Sequence, residues 1–189
     1  MTTLSKKLCN FRNISNGSAF VMELSETYSL KEIIIELEKM LQSDSPQVSE
    51  ALFFLRQISI TDRGQKDFNK AVASFRKEIP NSKIFTLMEK LLYSSDEDTR
   101  SRTIYAFGKM CFPEQKLVLQ KAIDFYVRES PLQLGELLFE FTWLNGGIDI
   151  QLLQVLAKDK NPEVKKGIEW FLDHISEQEK DSIEKELGY

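Results

Sequence analysis

Glu136 and Glu140 stand four residues apart in Gly135-Glu136-Leu137-Leu138-Phe139-Glu140. In a helix that spacing puts both carboxylates on one face, where they repel mildly and attract a cation. A carboxylate pair can also divide acid and base work, but catalysis needs a substrate pocket, and no motif here supplies one. Trp143, Trp170 and Asp173 follow in the same half of the chain, a mix of aromatic and acidic side chains suited to anchoring an interface. His174 is the only histidine, which excludes a His-rich metal site and two-histidine catalysis. It follows Asp173 near the end of a helical pattern, where an imidazole meets the negative end of the helix dipole. Cys9 and Cys111 lie too far apart for zinc-ligand spacing and are too few for a disulfide framework. Neither a Gly-rich phosphate loop nor a nucleophile elbow is present, and Gly146-Gly147 is a turn. Asn13-Ile14-Ser15 and Asn16-Gly17-Ser18 match the glycosylation sequon, which has meaning only in a secreted chain. The chain is therefore expected to hold no metal or cofactor and not to be an enzyme.

The elements that position these residues come from a repeat. Ser45-Pro46-Gln47-Val48, Glu97-Asp98-Thr99, Pro131-Leu132-Gln133-Leu134 and Asn161-Pro162-Glu163-Val164 each precede a helical pattern. With Val48, Thr99, Leu134 and Val164 as position zero, position four holds Leu52, Thr103, Leu138 and Ile168. Position seven holds Leu55, Ala106, Phe141 and Phe171. Zero, four and seven share one helix face. Helices are predicted at about 29–42, with Ser29 and Glu32 as a capping box, and from Ser45. Others follow at 65–78, from Pro80 and Ser82 to Leu92, from Glu97 to Cys111, and from Pro113 through Leu117, Leu119 and Tyr126. The last are at 131–144, 149–158, 162–175 and 177–187. Asp62-Arg63-Gly64 breaks the pattern. Residues 1–27 lack a clear period and are expected to form a partly ordered arm before a single helical domain over 28–189.

With 42% apolar and 29% charged residues the chain has a soluble globular composition. Only 8 Gly and 5 Pro disfavour a β-sandwich or barrel. A net charge of −4 without a basic stripe argues against nucleic acid and leaves a basic protein partner open. Apolar runs such as Leu137-Leu138-Phe139 and the longer Ala51-Leu52-Phe53-Phe54-Leu55 are far too short to span a membrane. Lys6 and Lys7 are not followed by the apolar run of a signal peptide, so a cytoplasmic location is expected.

The pattern resembles HEAT and armadillo repeats, whose signature is an Asp/Asn-Pro-x-Val turn, a basic residue, then small or aliphatic residues on the second helix. Asn161-Pro162-Glu163-Val164-Lys165 matches best, Ser45-Pro46-Gln47-Val48 well, and Asp98-Thr99-Arg100 with Ala106 and Gly108 fairly. Pro131 to Leu134 is one residue out of step and lacks the basic residue. The resemblance covers about residues 29–175. It implies an all-α fold, a right-handed stack of antiparallel helix pairs forming an α-solenoid of about ten helices. One helix would be inserted between the first and second pairs, and the charged last helix would act as a cap. An unrelated ten-helix domain is the alternative that the residues leave open.

In such a stack the second helices line the concave face, and positions two, six and nine point away from the core. The residues assigned there to a partner are Glu50, Phe54, Tyr105, Glu136, Glu140, Trp143, Trp170 and Asp173. The same aromatics are equally suited to packing between repeats. The implied function is non-enzymatic protein binding, in its sharper form a bacterial immunity protein neutralising a basic nuclease toxin. A scaffold subunit of a larger complex is the second reading. A HEAT-like DNA glycosylase using Trp143, Trp170 and Asp173 is the third, opposed by the missing phosphate track.

Overall fold

Helix boundaries fall where a side chain or a turn satisfies the orphaned backbone groups of a helix end. The structure, a computed structural model, describes residues 2–14, 16–42, 44–58, 66–110 and 112–187. Its helices are α1 Thr3–Cys9, α2 Gly17–Thr27, α3 Leu30–Met40, α4 Val48–Ile58, α5 Lys66–Glu78 and α6 Ile84–Leu91. They continue with α7 Glu97–Met110, α8 Pro113–Glu129, α9 Leu134–Asn145, α10 Ile150–Leu156, α11 Pro162–Leu172 and α12 Glu177–Leu187. Short 3₁₀ turns occupy Asn10–Asn13, Ile79–Asn81 and Pro131–Gln133, and no strand occurs among the described residues. All ten predicted helices are present, and α1 and α2 bring the number among the described residues to twelve. The expected break at Asp62-Arg63-Gly64 lies outside the described residues.

Ser29 and Glu32 form the expected capping box at α3. Asn161 accepts the Glu163 N–H at 3.0 Å with Pro162 at the first turn of α11. Asp96 accepts the Thr99 N–H at 2.8 Å at the start of α7. Gly146 ends α9 with φ 74°, and Gly147 follows at φ 152°. Those angles explain the glycine pair, since residues with a Cβ rarely adopt them.

The chain divides into two compact units, Met1–Met110 and Cys111–Tyr189, rather than an arm and one domain. In the first, α4 packs along α7 and also meets α1 and α3, α3 meets α6, and α2 pairs with α5. In the second, α9 lies between α8 and α11, and α12 covers α10. The shared repeat face is core. Val48, Leu52, Leu55, Thr103, Ala106, Leu134, Leu138, Phe141, Val164, Ile168 and Phe171 are all buried, and Thr99 is half-buried. Leu117, placed in the stripe of α8 by its sequence pattern, is exposed.

Residues 1–27 hold α1, a 3₁₀ turn and α2, and pack on α4 and α5. Leu4, Leu8, Phe11, Phe20, Val21 and Leu24 are buried, each worth about 1.5–3 kcal/mol relative to exposure for the larger side chains. The Phe11 ring meets Phe20 at 5.3 Å, Phe53 at 5.8 Å and Phe54 at 5.3 Å between centroids. With only seven residues, α1 makes about two turns, too few to display a helical period. Among the described residues no helix is long and apolar enough to cross a membrane.

Candidate functional site

Position six lies about 120° around the helix from the core direction, on the flank, whereas positions two and nine point more directly away from it. Flanks are covered wherever a helix has neighbours on both sides, which separates the eight assigned residues. Phe54, on the flank of α4, is 1% exposed, wedged between Phe11 and Phe75, the latter at 6.3 Å. It packs as a core residue. Glu140, on the flank of α9 between α8 and α11, is 3% exposed, and Glu136 is half-buried, so they do not present an open pair of carboxylates. Glu50 is half-buried on α4. Tyr105 on α7, Trp143 on α9 and Asp173 at the end of α11 are exposed, and Trp170 is half-buried.

In the second unit the assigned aromatics come together. The axes of α9 and α11 approach where both carry glycine. A Cβ on Gly135 would sit 2.5 Å from the Gly167 carbonyl oxygen and 2.7 Å from Trp170 Cε3. This close approach seats the Trp170 indole over α9. Trp170 meets Phe139 edge-on at 6.5 Å and 88°, and Phe139 meets Trp143 at 6.4 Å and 73°. The His174 ring stacks on Trp170 at 3.7 Å and 16°, and its Nδ1 lies 2.7 Å from the Trp170 carbonyl oxygen. Trp143, 64% exposed, is the outermost member of this ridge. Edge-to-face pairs of this kind stabilise by about 0.5–1.5 kcal/mol each beyond their burial, so the ridge is rigid before anything binds.

Charge is unevenly divided. The first unit has 16 Lys and Arg against 14 Asp and Glu, the second 9 against 15, so the acidity expected of the whole chain belongs to the second unit. Around the ridge, Asp173 accepts from Lys180 at 2.5 Å, which holds its carboxyl below the usual aspartate value. Lys166 donates to Glu163 at 2.8 Å, which raises its ammonium above the ordinary lysine value. Glu169 is exposed beside them.

Tyr105 stands in a different setting. The Arg56 guanidinium lies over its ring at 4.5 Å and over Phe53 at 5.0 Å. Arg12 covers Phe53 at 4.8 Å, and the Lys109 ammonium covers Tyr105 at 5.1 Å. This alternation of three cations and two rings was missed in the sequence. Phe53 with Arg56, and Tyr105 with Lys109, are legible as same-face pairs at i,i+3 and i,i+4. The register that interleaves them is set by the packing of α4 on α7.

Cys9 is half-buried, and its thiol is pushed up by burial first and by Glu50 second, against a lowering hydrogen bond from Ser5. A raised thiol is a poorer nucleophile at neutral pH. Among the described residues no three His, Cys, Asp or Glu side chains are grouped to hold a metal ion. Compared with known proteins, the sequence matches no family model and finds no significant match among curated proteins.

Proposed function

We propose that this chain is a non-enzymatic protein-binding module, a HEAT-like right-handed stack of helix pairs that docks a basic protein through the aromatic and acidic surface of its second unit. The stack reading is supported within each unit. The second helices of consecutive pairs lie side by side, α4 along α7 and α9 along α11, and the first helices α3 and α6 also meet. The observation that carries the binding reading is Trp143, 64% exposed on a ridge already ordered by Phe139, Trp170 and His174. A large exposed indole with fixed support loses little entropy on docking, and tryptophans of this kind dominate interface energetics. The carboxylates nearby favour a cationic surface and speed its approach. Neutralisation of a basic toxin by an immunity-type protein is the sharper form of this reading. Asp173, the carboxylate that the glycosylase reading would use, is exposed and paired with Lys180.

The test is affinity capture from the native host with wild-type and Trp143→Ala baits, the captured proteins being identified by mass spectrometry. A basic protein held by the wild type, released by salt and absent from the variant is the expected outcome. Equal capture by both baits would remove the ridge from the interface, and co-purifying nucleic acid in place of protein would overturn the reading.

A further inference from the structure

We propose that Arg56, set over the rings of Phe53 and Tyr105, anchors a second binding site in the first unit, one that takes an acidic peptide segment. The guanidinium is half-buried and lies over both rings, at 5.0 and 4.5 Å from their centroids. Among the described residues it makes no hydrogen bond and no ion pair, although a guanidinium carries five N–H donors. An arginine held over two rings and making no ion pair with a carboxylate is a preorganised receptor for a planar anion. The rings have already removed much of its side-chain freedom, and its fork matches two oxygens at once. Arg12 and Lys109 extend the cationic line on either side of the two rings. Arg12 is itself fixed by donating to the Ser49 hydroxyl at 2.7 Å and the Ser49 carbonyl at 3.1 Å. On α7, Asp98 is already paired with Arg102 at 2.7 Å.

Both carboxylate and phosphate fit such a fork, and the surroundings favour carboxylate. A single-stranded nucleic acid binds by stacking bases on open ring faces along a basic groove, but here each ring carries two cations. A peptide with spaced Asp or Glu side chains needs only the donor edges and meets the ring edges with its aliphatic stems. The site is independent of the Trp143 ridge and of opposite polarity, so the two surfaces select different partners.

The experiment is fluorescence anisotropy of the full chain with a fluorescein-labelled octa-glutamate peptide and, separately, a labelled oligothymidylate. Wild type is expected to bind the peptide more tightly than the oligonucleotide, with affinity falling as salt is raised. Arg56→Ala is expected to weaken peptide binding about tenfold or more, the loss of a charge-assisted bidentate contact. Arg56→Lys retains the charge and is the variant safest for folding. It is expected to weaken binding several-fold because the fork is lost. Arg128→Ala, in the second unit, serves as the charge control and is expected to match wild type. Absence of peptide binding by wild type, equal binding by wild type and Arg56→Lys, an equal loss in Arg128→Ala, or tighter binding of the oligonucleotide would each overturn the proposal.

Discussion

Replacing Gly167 by alanine sets two opposing effects against each other, and the geometry decides between them. In an exposed helix interior Gly→Ala stabilises by about 1 kcal/mol, because glycine loses more backbone freedom on folding. At Gly167 the new Cβ would lie 2.5 Å from the Pro131 carbonyl oxygen and 3.2 Å from Leu134 Cβ. An ordinary carbon–oxygen contact is no closer than about 3.3 Å, so the chain leading into α9 must retreat from α11 by about 0.8 Å. The obstacle is backbone and cannot rotate away, which puts the cost near the top of the 1–3 kcal/mol range for overpacking, about 3 kcal/mol. The net expectation is a destabilisation of about 2 kcal/mol, or about 4–8 °C in Tm for a chain of this size. Gly135→Ala meets the same difficulty from the other helix and displaces Trp170 as well. Because either substitution forces the same helices apart, the double variant should lose less than the sum of the two. Differential scanning calorimetry of the three variants measures this. An unchanged or raised Tm for Gly167→Ala would mean that the helices do not approach so closely and that the seat of the aromatic ridge is misplaced.

Other expectations follow from the same packing. Phe54→Ala should destabilise by about 3–5 kcal/mol in chemical denaturation, as the loss of a core aromatic, in contrast to Trp143→Ala, which loses its edge contact with Phe139 and should cost about 0.5–1.5 kcal/mol. For a partner isolated by capture, Trp143→Ala should lower affinity about 30-fold or more by calorimetric titration. Deletion of residues 1–27 should abolish the cooperative thermal transition of the first unit, because it uncovers Phe53 and Phe54; a true arm would leave it intact. Asp96 titrates below the usual aspartate value because the Thr99 hydroxyl and N–H donate to it. Its stabilising effect is therefore present above the ordinary carboxylate range and lost as pH falls through its lowered value. Asp96→Asn keeps an acceptor but not the charge, so as pH falls below the ordinary aspartate value its Tm should fall less steeply than that of wild type.

The legible part of the fold was what repeats at helical spacing. The face built from positions zero, four and seven is buried in all four repeats except for half-buried Thr99, since one stripe must always face the pair partner. Helix ends signalled by Ser29, Asn161-Pro162 and Gly146-Gly147 were readable because their chemistry is local. What could not be read depends on neighbours distant in sequence. Whether a flank residue is exposed is decided by the next helix, which buries Phe54 and Glu140 but leaves Tyr105 out. Short α1 shows no period, and its Leu8, with Phe11 of the 3₁₀ turn that follows, reveals its role only against α4. For the ridge, Trp143 and Trp170 were identified by type, while the Gly135–Gly167 approach that joins them through Phe139 was not.

The most direct test of the account uses the fact that the chain has only two tryptophans. In Trp170→Phe the aromatic packing is kept and Trp143 becomes the sole indole reporter. Titrated with the captured basic protein, its emission is predicted to shift to the blue as the exposed ring is buried, with a midpoint equal to the calorimetric Kd. An emission spectrum unchanged at saturation, with binding intact, would place the interface elsewhere and contradict the central claim.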